Sequence, residues 1–158
     1  MEPIHDDVFG ELEFDGSWVR QIDITFFGCL ENVELCVKGN DEYESIFEEQ
    51  RQTYLQFLEC QSEIVSKTED AIFKYYQKIV DDYRIQFGKS ADERMPQVSE
   101  KKDLARLLEV CSVIIPMVLR PGEIAIGFLF ECSWDPEHGL GVKLRNGKYE
   151  VGTQDLLI

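Results

Sequence analysis

Between Glu123 and Ser133 the chain alternates strictly: Ile124, Ile126, Phe128, Phe130 and Cys132 fall on one face, and Ala125, Gly127, Leu129, Glu131 and Ser133 on the other. Both faces stay mostly apolar until the last residues, which predicts a central strand of a sheet covered by helices on one side. Further on, Leu140 to Arg145 and Lys148 to Val151 flank Asn146-Gly147, a pair that accepts φ > 0 at both positions of a two-residue turn. Such a turn sets Arg145 opposite Lys148, Leu144 opposite Tyr149, Lys143 opposite Glu150 and Val142 opposite Val151. The apolar pairs then share one face and the Lys143–Glu150 pair the other, so turn chemistry and patterning agree on one register.

The start of the chain also reads as strands. Phe9 to Phe14, Trp18 to Phe27 and Leu30 to Val37 form a predicted β meander, broken at Asp15-Gly16-Ser17 and at Gly28. A three-residue loop sets Phe14 opposite Trp18 and gathers Leu12, Phe14, Trp18, Ile22, Ile24 and Phe26 on one face. A two-residue turn would set Glu13 opposite Trp18, so the former register is expected. On the third run Val33, Leu35 and Val37 alternate with Glu34 and Cys36, while Leu30 stands apart.

Helical spacing occupies the middle. Ser45 and Glu48 fit a capping box, followed by an apolar side made of Phe47, Tyr54, Phe57 and Leu58. Ile64, Thr68, Ile72, Tyr75, Ile79 and Tyr83 continue to Phe87 and a glycine stop at Gly88, with a break expected at Cys60-Gln61-Ser62, where Ser62 can cap. Residues 88–99 have no period and contain a proline, which predicts a surface loop. Gly88-Lys89-Ser90 lacks the upstream glycine of a phosphate loop and follows a helix rather than a strand. Ser99 is expected to cap a short helix to Glu109 that buries Leu104, Leu107 and Leu108, and Cys111 to Val118 to form another strand. Strands, then two to three helices, then strands ending in the Asn146-Gly147 hairpin predict one α+β domain over residues 1–158 with a largely antiparallel sheet.

At 158 residues the chain can bury a core without disulfides or metal. Its 16 Lys and Arg against 31 Asp and Glu leave a net charge of −15. Phosphate backbones and anionic lipid are recognised by positive patches, so nucleic acid and membrane surfaces are not expected partners. Five cysteines, an odd set with no C-x-x-C pair, suggest reduced thiols rather than a disulfide framework or zinc site. The first residues carry no basic region or apolar run, and no stretch approaches the ~18 apolar residues of a membrane span. A cytoplasmic protein without a cofactor is expected.

Chemistry concentrates in Cys132-Ser133-Trp134-Asp135-Pro136-Glu137-His138-Gly139. In the structural reading Asp135 accepts from backbone N–H groups, Pro136 fixes a corner, Gly139 supplies φ > 0, Trp134 caps the core and His138 bonds across the turn. A metal reading uses His138 with Asp135 and Glu137, joined by Asp155 or Glu131. It is short of nitrogen ligands, because the only other histidine, His5, lies in a segment expected to fray. A catalytic reading pairs Glu131 with His138 as acid and base. Cys132 as nucleophile is disfavoured by its phase with Phe128 and Phe130, where an apolar setting raises a thiol's pKa.

Several segments together resemble one family. Phe9-Gly10-Glu11-Leu12, the helix Glu49-Gln50-Arg51-x-x-Tyr54-x-x-Phe57-Leu58, Ala71-Ile72-Phe73-Lys74-Tyr75-Tyr76, the motif Phe130-Glu131-Cys132-x-Trp134-Asp135-Pro136-Glu137-His138-Gly139-Leu140-Gly141-Val142 and Val151-Gly152-x-Gln154-Asp155 are similar to a bacterial family known only as a domain of unknown function. The resemblance implies a stand-alone bacterial cytosolic domain and carries over no activity, substrate or catalytic residue.

Function is therefore expected from the surface. Asp6, Asp7, Glu11 and Glu13 near the N-terminus, and Asp41, Glu42, Glu44, Glu48 and Glu49 around the first helix, would form an anionic face if hairpin and helix lie side by side. Such a face steers a basic protein partner. The expectation is a non-enzymatic protein-binding domain, with an immunity-type inhibitor covering a basic nuclease site as one form of it. The alternative is a small hydrolase or metal-dependent enzyme centred on Glu131, Asp135, Glu137 and His138.

Overall fold

Alternation at both ends of the chain and helical periodicity between them build one sheet with its long helices on one side. The computed structural model describes residues 3–39, 43 and 45–157. Its strands are β1 (Ile4–Asp6), β2 (Gly10–Phe14), β3 (Trp18–Phe26), β4 (Cys29–Val37), β5 (Leu108–Ile115), β6 (Ala125–Cys132), β7 (Leu140–Arg145) and β8 (Lys148–Gly152). The helices are α1 (Glu48–Glu59), α2 (Gln61–Phe87) and the short α3 (Ala91–Arg94). Strand order follows the sequence from β1 to β8, and every pairing is antiparallel except β4 with β5. A parallel neighbour cannot be reached through a tight turn, so the chain spends its helices on that one crossover. The protein is α+β, with a mostly antiparallel sheet. No helix among the described residues is long and apolar enough to cross a membrane.

Both hairpin registers follow the pattern of apolar residues. Phe14 stands opposite Trp18, and Arg145, Leu144, Lys143 and Val142 stand opposite Lys148, Tyr149, Glu150 and Val151. Strand β6 lies between β5 and β7, as its two apolar faces require. On the helical side Phe26 meets Phe128 and Phe130 edge-on at 5.3 and 5.0 Å, and Phe57 of α1 closes over Phe128 at 6.0 Å. Tyr76 of α2 meets Trp134 at 5.1 Å and donates its hydroxyl to the Pro96 carbonyl. The other side of β6 is covered by the chain's own C-terminal turn. A Cβ at Gly127 would lie 2.2 Å from the Leu157 side chain, and one at Gly141 2.7 Å from the Thr153 carbonyl oxygen. Glycine is needed there because the returning backbone leaves no room for a side chain.

Tertiary contacts moved several boundaries. Helix α1 starts with Phe47, not Ser45, in the cap position, because the buried Gln50 decides it. Gln50 Oε1 accepts from the Phe47 amide at 3.0 Å, while Nε2 donates to the Lys38 and Pro116 carbonyls at 2.9 and 3.1 Å. One side chain thereby ties the helix start to the ends of β4 and β5. Phe47 and Leu58, expected inside, are 42% and 48% exposed. The α1–α2 break falls at Cys60 (φ −111°, ψ 25°), and Cys60 rather than Ser62 occupies the cap position. Helix α2 stops at Gly88 (φ 57°), and Thr68, Ile72, Tyr76 and Val80 form its buried stripe. In place of a helix from Ser99 to Glu109 there is a 3-10 turn, Lys101–Arg106, behind Glu100. Strand β5 then begins at Leu108, since Leu108 and Val110 pair with Cys132 and Phe130. The segment around His5, expected to fray, forms edge strand β1 against β2.

Candidate functional site

The turn between β1 and β2 is built on Asp6. Its Oδ2 accepts from the amides of Val8 and Phe9, both at 3.0 Å, which closes the turn. Its Oδ1 receives Nε and Nη2 of Arg51 at 3.0 and 2.7 Å, while Arg51 Nη1 donates to the Ile46 carbonyl at 3.1 Å. Phe9 stacks on Tyr54 of α1 at 4.9 Å. Hairpin and helix are thus riveted side by side by one ion pair and one ring pair.

Asp6 itself is buried at 7% exposure, so among the expected partner-binding residues it is the clamp and not part of the surface. Burial alone would raise its carboxyl, but the Arg51 guanidinium and the two turn amides outweigh that and hold it below the usual carboxylate range. Asp7, Glu11 and Glu13 stay exposed on the hairpin, with Asp15 at its far turn, and Glu48 is exposed on the first turn of α1. Glu49 is half-buried and accepts from the Gly122 amide at 3.2 Å. Asp41, Glu42 and Glu44 lie outside the described residues. Leu55 and Leu58 of α1 are 49% and 48% exposed, and Leu58 lines a groove at the α1–α2 elbow with Thr25, Glu59 and Glu69. Leu58 follows Tyr54 by four residues, the spacing of a core stripe, so periodicity alone could not single it out as exposed.

The histidine corner is a different kind of place. Asp135 Oδ1 accepts from the His138 amide at 3.2 Å and lies 3.0 Å from His138 Nδ1. The Asp135 carbonyl accepts from the Gly139 amide at 2.8 Å and from the Cys132 thiol at 3.6 Å. Ser133 Oγ donates to the Arg94 carbonyl at 2.6 Å, and Gln154 donates to the carbonyls of His138 and Phe130. The corner therefore joins β6, β7, α3 and the C-terminal turn. Trp134 is buried, and Pro136 and Glu137 are exposed.

Burial pushes the Cys132 thiol up to about 12, which keeps it protonated at neutral pH. Glu131 is exposed opposite Glu109 and lines an open groove with Glu31, Arg106 and Pro136, a groove that His138 does not line. The proposed acid and base thus face different surroundings. Among the described residues no group of three or more His, Cys, Asp or Glu is placed to hold a metal ion.

Three measurements check this corner. The hydrogen bond and charge of Asp135 raise the pKa of the exposed His138. That favours the imidazolium, so its contribution is complete below the unfolded-state value and lost as pH rises through the folded one. In Asp135→Asn the His138 ring resonances are expected to titrate at lower pH, and His138→Ala is expected to leave the melting temperature essentially unchanged. Gly139 is more demanding: at φ +64° a Cβ would stand 2.7 Å from the Phe130 carbonyl oxygen. Gly139→Ala is expected to cost about 1–2 kcal/mol in urea denaturation.

Residues 8–158 match the family model described as Domain of unknown function (DUF6985). No curated protein and no solved structure matches the chain.

Proposed function

We propose that this chain, which belongs to the DUF6985 family over residues 8–158, is a non-enzymatic protein-binding domain whose acidic β1–β2 and α1 end docks a basic protein. The observation that carries the reading is the Asp6–Arg51 clamp, which makes one platform of the hairpin and the helix. Asp7, Glu11 and Glu13 are exposed on the hairpin, Glu11 and Glu13 on the sheet face opposite the buried Leu12, and Glu48 is exposed on α1 with Arg51 at 3.6 Å. Their field attracts a cationic partner from about a Debye length away, roughly 8 Å at physiological salt. The exposed Leu55, seven residues after Glu48 on the same helix face, supplies apolar contact area, which is where short-range affinity resides. An immunity-type inhibitor that covers a basic active site is one form of this role. The rival hydrolase or metal-dependent enzyme draws no comparable support, because His138 is held by Asp135 and Glu131 opens onto another groove.

Pull-down from host extract at low salt should recover a basic protein that elutes as salt rises. With that partner in hand, Glu11→Lys, Glu13→Lys and Glu48→Lys combined should slow association at low salt by about tenfold or more, with dissociation little changed. Unchanged association in the combined variant, or binding indifferent to salt, would overturn the assignment.

A further inference from the structure

A cavity of about 180 Å³ opens between the α1–α2 elbow and the β6–β8 strands, walled by Phe57, Ile64, Ile126, Leu144 and Tyr149. Phe57 and Ile126 belong to the closed core, whereas Ile64, Leu144 and Tyr149 are only half-buried, so apolar surface is left facing the cavity. Displacing water from such surface favours an apolar occupant. A cavity of about 150 Å³ lined by Leu, Ile and Phe accepts one benzene, so this one has room for a single six-membered ring with one small substituent. Phe57 from the helix and Tyr149 from the strand give that ring aromatic neighbours on two sides.

The polar lining decides what the substituent is. Among the described residues the charged groups that line the cavity are Glu63 and Lys67, and they pair with each other at 2.8 Å. An ionic ligand would enter without a counter-charge, so the occupant is neutral. Thr53 also lines the cavity and is buried at 3% exposure. Its hydroxyl donates to the Glu49 carbonyl at 2.8 Å, so its one proton is committed and its oxygen can only accept. Among the described residues no donor reaches that oxygen. The remaining neutral amides of the lining, Gln56 and Asn146, are exposed to solvent.

We propose that this cavity binds a small neutral phenol, its ring against the apolar walls and its hydroxyl donated to Thr53 Oγ1. The site involves none of the carboxylates of the β1–β2 hairpin and is independent of the acidic surface.

The test is an amide NMR titration of the whole protein with phenol, toluene, cyclohexanol and benzoate. Saturable shifts centred on Thr53, Phe57, Ile64, Leu144 and Tyr149 are expected for phenol and toluene, with cyclohexanol weaker than phenol and benzoate without saturable shifts. Thr53→Val, which keeps the shape and removes the hydroxyl, should weaken phenol about fivefold and leave toluene no weaker. Thr53→Ser should keep the wild-type affinity for phenol within about twofold. Ile64→Phe should block both ring ligands by filling the cavity. The unliganded spectrum shows whether each variant folds, and if one does not, the other and the order of the four probes still decide. Benzoate as tight as phenol, cyclohexanol tighter than phenol, phenol affinity unchanged in Thr53→Val, shifts centred elsewhere, or shifts that fail to saturate would each overturn the proposal.

Discussion

Phe128→Ala is expected to lower the free energy of unfolding by about 3–5 kcal/mol, seen as a lower urea midpoint with an unchanged slope. Phe128 has no exposed surface and lies where three layers of rings meet, with Phe26 at 5.3 Å across the sheet and Phe57 at 6.0 Å above it. Truncation removes the transfer free energy of a benzyl group and leaves a cavity. The walls cannot close on that cavity, because β6 is held by partners on both sides. A domain this size has only about 5–15 kcal/mol of total stability, so the variant should be partly unfolded at elevated temperature. Phe128→Leu keeps most of the volume and should recover more than half of the loss. A loss below about 1 kcal/mol for the alanine variant would mean that the aromatic cluster is not the centre of the core.

The second large effect is expected at the clamp. Asp6→Ala should cost about 2–3 kcal/mol, less than a fully buried pair, because the Arg51 side chain is still 28% exposed. Its loss also leaves the Val8 and Phe9 amides without their acceptor. The pH dependence has a definite sign. The folded-state pKa of Asp6 is depressed from the ordinary 3.8, so its contribution is complete above that value and is lost as pH falls through the folded-state one. Asp6→Asn should therefore flatten the acid limb of the stability curve and leave the neutral limb parallel to wild type. A double-mutant cycle with Arg51→Met separates the pair energy from the turn hydrogen bonds. If Asp6→Ala unfolds normally yet association with the basic partner is unaffected, the platform does not depend on the clamp.

Both of these residues show what can and cannot be read along a chain. Phe128 announces itself by alternation: period two from Glu123 to Ser133 with both faces apolar has one solution, a covered strand. The Asn146-Gly147 turn and the Phe14–Trp18 pairing were legible for the same reason, since a one-residue slip would turn every apolar side chain to water. Asp6 gave no such sign. It is one of several carboxylates in an acidic stretch, and only the arrival of Arg51 from 45 positions away makes it the buried one. Gln50 behaved likewise: its hydrogen bonds to the ends of β4 and β5 moved the helix start from Ser45 to Phe47.

Local pattern, then, was sufficient for what depends on neighbours in sequence: element types, the two hairpin registers and the turn chemistry of the Asp135–Gly139 corner. Tertiary structure alone decided which acids are spent inside and which face solvent, which of the apolar α1 residues stay outside, and how α1, α2 and β8 come to wall a cavity. The physical reason is range. Backbone propensity and side-chain alternation act over a few residues, whereas burial and charge pairing are settled between groups that meet only after the parallel β4–β5 crossover has closed.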